Sequence, residues 1–281
     1  MNAVIPATTT TEAEQGPSFW ARLGQALQAG SRQLSQGVSS VAGLIDADLR
    51  RDLLQMPLLA LTVIGPRYAP IRALADDGHR PILFLHGLGG HRGNFLPMRA
   101  WLGMRGRRRG YAIGMTAGVD LMTLGKELSA LIETILDVNG LPADAQVDIV
   151  AHSMGGVVAR LALLEVGSLA RVHTLVTLGT PHSGTQIARL GGTHRCHDLR
   201  PGSPVMAALA TQLPWRGPTR LVCLWSVDDP IMQPAQTAQV DGADNRLLKA
   251  HNHTDYLLKV SAWKHILAAL GDGRAQYETT R

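Results

Sequence analysis

The sequence predicts an α/β protein: a mostly parallel central sheet with helices on both faces, preceded by a helical N-terminal extension. Two observations carry this. From about residue 80, short apolar runs alternate with amphipathic helical patterns, the signature of parallel strands joined by right-handed crossovers. Each polar or glycine-rich motif also begins where an apolar run stops, as expected if a site forms at the carboxyl ends of the strands.

The strands in order are Pro81–His86, Tyr111–Met115, Val147–His152, Thr174–Gly179, Thr219–Ser226 and Arg246–Ala250. Their apolar runs are short, and strands buried on both faces read that way. Between them lie the helical patterns Phe95–Met104, Leu121–Val138, Val157–Val166 and Asp255–Leu270. The stretch 180–218 separates two core strands and holds one more helix pattern, Pro204–Leu213. It has room for a small cap but not for a large lid domain. The domain reading is a leader (1–17), a helical extension (18–79), a catalytic domain (80–272) with its cap in 180–218, and a tail (273–281).

The chain has 281 residues, of which 45% are hydrophobic and 17% charged. That composition excludes a disordered chain. Two cysteines, Cys196 and Cys223, are too few for a disulfide framework. The net charge of +5 is mildly basic, and its only cluster is Arg105, Arg107, Arg108 and Arg109. That cluster reads as a solvated helix end rather than a nucleic-acid patch.

Residues 1–15 lack a basic start and an apolar core, so no standard secretory signal is expected. No stretch reaches the roughly 20 apolar residues that span a bilayer. Between residues 18 and 50, Trp20, Leu23, Leu27, Leu34, Val38, Val41 and Ile45 recur at helical spacing. Packing on the protein body accounts for this stripe. Peripheral membrane contact through 18–65, which includes apolar Met56–Gly65, is the alternative, and the missing Lys/Arg-rich polar face counts against it. The expected location is cytoplasmic, with membrane association resting on that alternative.

The strongest motif is Ala151-His152-Ser153-Met154-Gly155-Gly156. It joins a strand to a helix through a serine, a turn of the nucleophile-elbow type. Such a turn forces strained backbone at the serine, so small residues are needed two before and two after it; here they are Ala151 and Gly155. Ser153 would stand at a helix N-terminus, where developing negative charge is favoured. His152 reads as a packing residue.

A serine nucleophile needs N–H donors for the oxyanion of its tetrahedral intermediate, each worth about 3–4 kcal/mol of barrier. The residue after the nucleophile, Met154, supplies one backbone N–H. His86-Gly87-Leu88-Gly89-Gly90 follows an early strand, and Leu88 N–H is the expected second donor. No phosphate-cradle string is present.

These two motifs, with Thr177-Leu178-Gly179-Thr180-Pro181-His182-Ser183-Gly184-Thr185, resemble the α/β-hydrolase superfamily, and within it the bacterial lipases and esterases, some of whose elbows also begin with Ala. The resemblance covers roughly residues 80–270 and implies a Ser-His-Asp triad. The 179–185 string is then a loop that shapes the pocket.

Triad partners in this fold follow the serine in the order acid, then histidine. Ser226-Val227-Asp228-Asp229-Pro230 follows one strand, and the resemblance places the acid at Asp229, with Asp228 as runner-up. His251-Asn252-His253 follows the last strand, and His253, which leads into a helix, is preferred to His251. Histidine suits a base because its pKa lies near neutrality.

The expected activity is therefore carboxylic-ester hydrolysis through an acyl-serine. The catalytic residues are Ser153, Asp229 and His253, and the partner is a small-molecule or lipid ester. No cofactor, metal or nucleic acid is expected. His194-Arg195-Cys196-His197-Asp198 invites a metal, but three or four ligands would have to converge. Leu88, Phe95, Leu96 and Met154 suggest an apolar acyl pocket. A thioesterase or acyltransferase with the same triad, and a binding protein on an inactive hydrolase fold, are the alternative functions.

Overall fold

The computed structural model describes residues 69–165 and 167–271. The leader, the stripe over 18–50, the apolar stretch Met56–Gly65 and the tail all lie outside the described residues.

Six strands form one sheet: β1 (Ile82–Leu85), β2 (Gly110–Ile113), β3 (Val147–His152), β4 (Val172–Leu178), β5 (Arg220–Trp225) and β6 (Asp244–Leu247). Their order is β2-β1-β3-β4-β5-β6, and every neighbouring pair is parallel. The helices are α1 (Leu96–Gly103), α2 (Leu121–Val138), α3 (Met154–Ala162), α4 (Ser168–Arg171), α5 (His194–Asp198), α6 (Pro204–Ala210), α7 (Asp255–Leu258) and α8 (Val260–Leu270).

Side chains alternate across a strand, and here both faces are covered. Leu83, Leu85, Ile149, Ala151, Leu221 and Cys223 face one side and pack with α2, α3 and α6. Ile82, Phe84, Val150, Val222 and Leu224 face the other and pack with α1 and α8. The apolar stripe of α2 (Leu121, Leu124, Leu128, Ile132, Ile135) is wholly buried. Each such side chain contributes roughly 1.5–3 kcal/mol through burial. The Asp120 carboxylate caps α2 by accepting the Thr123 N–H at 2.8 Å.

The order of strands reverses at β1 and β3. β1 connects outward to β2 through α1, whereas β3 connects the other way to β4 through α3. In open parallel sheets this switch point opens a crevice at the carboxyl ends of the strands.

Several boundaries differ from the sequence expectation. The helix after Ser153 starts at Met154 rather than Val157 and stops at Ala162, because the turn is completed within Ser153 itself. The single helix expected over Asp255–Leu270 is two, broken where Lys259 adopts an extended backbone (φ −94°, ψ 129°). Residues 69–79, assigned to the helical extension, carry no helix. They are tied to the sheet: Tyr111 Oη donates to the Arg72 carbonyl at 2.9 Å, and Asp77 accepts the N–H groups of Arg108 and Arg109.

The arginine cluster is not a solvated helix end. Arg107 and Arg109 are buried, and the Arg105 guanidinium lies 3.6 Å from the centroid of the Trp101 ring. Asp148, buried at the start of β3, draws Arg107 inward at 2.9 Å. Both cysteines are buried and unpaired. Among the described residues, no helix is long and apolar enough to cross a membrane.

Candidate active site

The site is built from loops at the carboxyl ends of β1, β3, β5 and β6. The register pairs Leu85 of β1 with Ala151 of β3, so the turns after these strands lie side by side. Ser153 ends the β3 turn with φ 55° and ψ −126°. This left-handed backbone is strained for a residue with a Cβ. Among the described residues only Ala250 shares a positive φ without being glycine. The surroundings enforce it: Ser153 N–H donates to the Leu178 carbonyl at 2.9 Å, and Gly156 N–H donates to the Ser153 carbonyl at 3.0 Å.

Two glycines permit the close approach. A Cβ at Gly155 would lie 2.6 Å from the Leu85 carbonyl oxygen and 2.8 Å from that of His86. A Cβ at Gly87 would lie 2.9 Å from the Ser153 Cβ. The β1 loop therefore rests directly on the serine. Gly90 N–H closes this loop onto the Gly87 carbonyl at 3.1 Å, and Leu88 lies within it. Met154 opens α3, whose first N–H groups have no carbonyl partner within the helix.

Asp229 and His253 meet across loops that follow β5 and β6. His253 Nδ1 lies 2.9 Å from Asp229 Oδ2 and 3.1 Å from Oδ1. An ionised carboxylate only accepts, so Nδ1 carries the proton and Nε2 is left as an acceptor. Asp229 Oδ1 also accepts the Ile231 and Met232 N–H groups at 3.0 and 3.3 Å. The Asp-Pro turn thus fixes its own carboxylate.

The runners-up point elsewhere. Asp228 Oδ2 accepts the Ala250 N–H at 2.8 Å, bracing the loop that carries His253. His251 bonds the Lys249 carbonyl through Nδ1 and Ser261 through Nε2.

His152 packs beneath the pair. Its ring centroid lies 4.6 Å from that of His253, and its Nε2 donates to the His253 carbonyl at 2.9 Å. Burial, with the neighbouring His253 ring, holds the His152 pKa well below the ordinary value. It is a neutral prop joining the serine turn to the histidine loop.

The 179–185 string braces the acid loop. Thr185 Oγ1 donates to the Ile231 carbonyl at 2.6 Å, and Gln186 N–H donates to the Gln233 carbonyl at 3.0 Å. His182 Nε2 bonds Thr177 Oγ1 at 3.0 Å, and its Nδ1 faces Arg160 Nη1 at 3.5 Å. Arg160 is 1% exposed. It donates to the Leu209 carbonyl and to Gln212 Oε1 at 2.7 and 3.0 Å. It thus ties the helix headed by Ser153 to the end of α6. Sequence reasoning missed this strut, since an arginine in an amphipathic helix reads as surface.

The acyl-pocket residues do not form one group. Phe95 and Met154 are fully buried in opposite cores, with Phe95 packed 5.3 Å from Phe84. Leu96 is half exposed and lines a cleft with Arg99 and Gly110, beside the start of β2. The His194–Asp198 cluster serves structure. Asp198 accepts the Leu121 N–H at 3.0 Å, and Arg195 donates to the Val119 carbonyl at 3.0 Å. Among the described residues, no three His, Cys, Asp or Glu side chains are grouped to hold a metal ion.

A family model described as the PGAP1-like alpha/beta domain matches residues 115–195, the stretch that holds Ser153 and the 179–185 loop. Among solved structures, the chain is similar to the mature Bacillus licheniformis lipase BlEst2, with a TM-score of 0.58 and 20% identity, over 72% of this chain and 99% of that one. It is also similar to Aspergillus fumigatus lipase B, with a TM-score of 0.57 and 15% identity, over 74% of this chain and 59% of that one. A Listeria innocua gene product gives 0.53 at 14% identity, over 72% and 96%. At such identities the likeness is one of fold.

Proposed function

We propose, on the premise that the chain has the α/β-hydrolase fold, that it is a serine carboxylic-ester hydrolase. The observation that carries this reading is the buried His253–Asp229 pair at 2.9 Å, joined through His152 to the turn of a serine held in left-handed backbone at a helix N-terminus.

In this mechanism His253 Nε2 takes the Ser153 hydroxyl proton as Oγ attacks the ester carbonyl. The Met154 and Leu88 N–H groups hold the oxyanion. Asp229 keeps the His253 tautomer and stabilises the imidazolium. His253 then protonates the leaving alcohol. A water, deprotonated by His253, releases the acid from the acyl-serine. The partner is an ester with an acyl chain of small-molecule or lipid origin.

The test is hydrolysis of p-nitrophenyl esters from short to long chain, with Ser153→Ala as control. A loss on the order of 10⁴-fold or more in kcat is expected, together with wild-type labelling by a fluorophosphonate that the variant does not take. The chain-length optimum separates esterase from lipase. Turnover of acyl thioesters faster than oxyesters would instead favour a thioesterase. A folded wild type that neither turns over nor labels would sink the reading.

A further inference from the structure

At the opposite end of the sheet from Ser153 lies a second concavity. β2 begins at Gly110, which pairs with Ile82, the first residue of β1. Between this edge and α1 lies a cleft of about 230 Å³. Phe84, Leu96 and Ala100 line it together with three arginines, Arg99, Arg107 and Arg108. Among the described residues, no acidic one lines it.

The charge here is under-compensated. Arg107 reaches Asp148 with one nitrogen only, and that carboxylate also serves Arg80 at 3.1 Å. The Arg107 side chain is 2% exposed, and its Nε and Nη1 have no hydrogen-bond partner among the described residues. Arg99 donates to the Gly110 carbonyl at 2.8 Å, and its Nε likewise has no partner there. Burial and the charge of Arg92 push the Arg99 pKa down from its ordinary value. The acids nearby are engaged: Asp77 accepts two backbone N–H groups, and Asp76 pairs with Arg109. Buried guanidinium nitrogens without acceptors are costly, and their fork geometry matches a phosphate or carboxylate.

We propose that this cleft is an anion-binding site, separate from Ser153, for a phosphate or carboxylate group joined to an apolar substituent. The oxyanion takes the free guanidinium donors after a small side-chain adjustment, and the substituent lies on Phe84 and Leu96. The site does not depend on the ester-hydrolase reading.

The experiment is calorimetric titration of the full chain with hexyl phosphate and with inorganic phosphate, on wild type and on Arg99→Gln/Arg108→Gln. Neither residue belongs to the proposed catalytic set, and circular dichroism checks the fold of the variant. Saturable hexyl phosphate binding is expected, several-fold tighter than inorganic phosphate and at least tenfold weaker in the variant. Leu96→Ala should weaken hexyl phosphate and leave inorganic phosphate unchanged. Flotation with phosphatidic-acid vesicles, lost in the double variant, would identify a bilayer lipid as the source; hexyl phosphate binding without flotation would identify a soluble amphiphile. No hexyl phosphate binding, equal binding by a folded double variant, or equal affinity for the two phosphates would overturn the proposal.

Discussion

Asp229 lies 2.9 Å from Nδ1 of His253, while Asp228, its immediate neighbour in sequence, turns to the Ala250 N–H. Adjacent carboxylates therefore have separate tasks. Asp229→Asn should cost on the order of 10⁴ in kcat, since the amide can hold the wrong histidine tautomer. Asp228→Asn should change kcat by less than about tenfold. Steady-state ester hydrolysis of both variants decides; the reverse ranking would move the acid to Asp228.

Gly155 faces backbone oxygens on the β1 strand at distances no side chain tolerates. Gly155→Ala has no flexible neighbour to displace, so the turn and β1 must separate. A loss of about 3 kcal/mol or more in stability is expected, read as a lower urea midpoint. Unchanged stability would show that the elbow is looser than this packing.

Arg160 holds α3 to the end of α6 through the Leu209 carbonyl and Gln212. Arg160→Ala strands those acceptors and opens a cavity. About 2–4 kcal/mol of destabilisation is expected, measured by denaturant unfolding. Gln212→Ala, which removes one partner of the strut, should cost less.

His152 and His182 are buried and held well below the ordinary histidine pKa of 6.5, chiefly by desolvation. About one pH unit or more above 6.5 both are neutral in folded and unfolded chains, and neither makes stability depend on pH there. As pH falls through 6.5, the unfolded chain takes up protons that the native state refuses. Stability then declines by up to about 1.4 kcal/mol per pH unit for each group. Unfolding at pH 7.5 and 5.5 should show the drop, and His182→Gln should reduce it.

Strand positions were legible because strands buried on both faces appear as short apolar runs, and β3 keeps the limits its sequence predicts, Val147–His152. The break at Lys259 was not legible, since the apolar spacing continues through it while its backbone turns extended. The burial of Arg107 was equally hidden. It depends on Asp148, a residue far along the chain.

The sequence by itself determined the fold class and named Ser153, Asp229 and His253, because local periodicity and strand-end motifs are short-range properties. Only the tertiary structure shows that Asp229, and not Asp228, meets a histidine, and that this histidine is His253 and not His251. Neighbours in sequence share composition, but their side chains leave the backbone in different directions. Asp228 reaches Ala250 and Asp229 reaches His253, each more than 20 positions away, whereas His251 is held by Lys249 and Ser261.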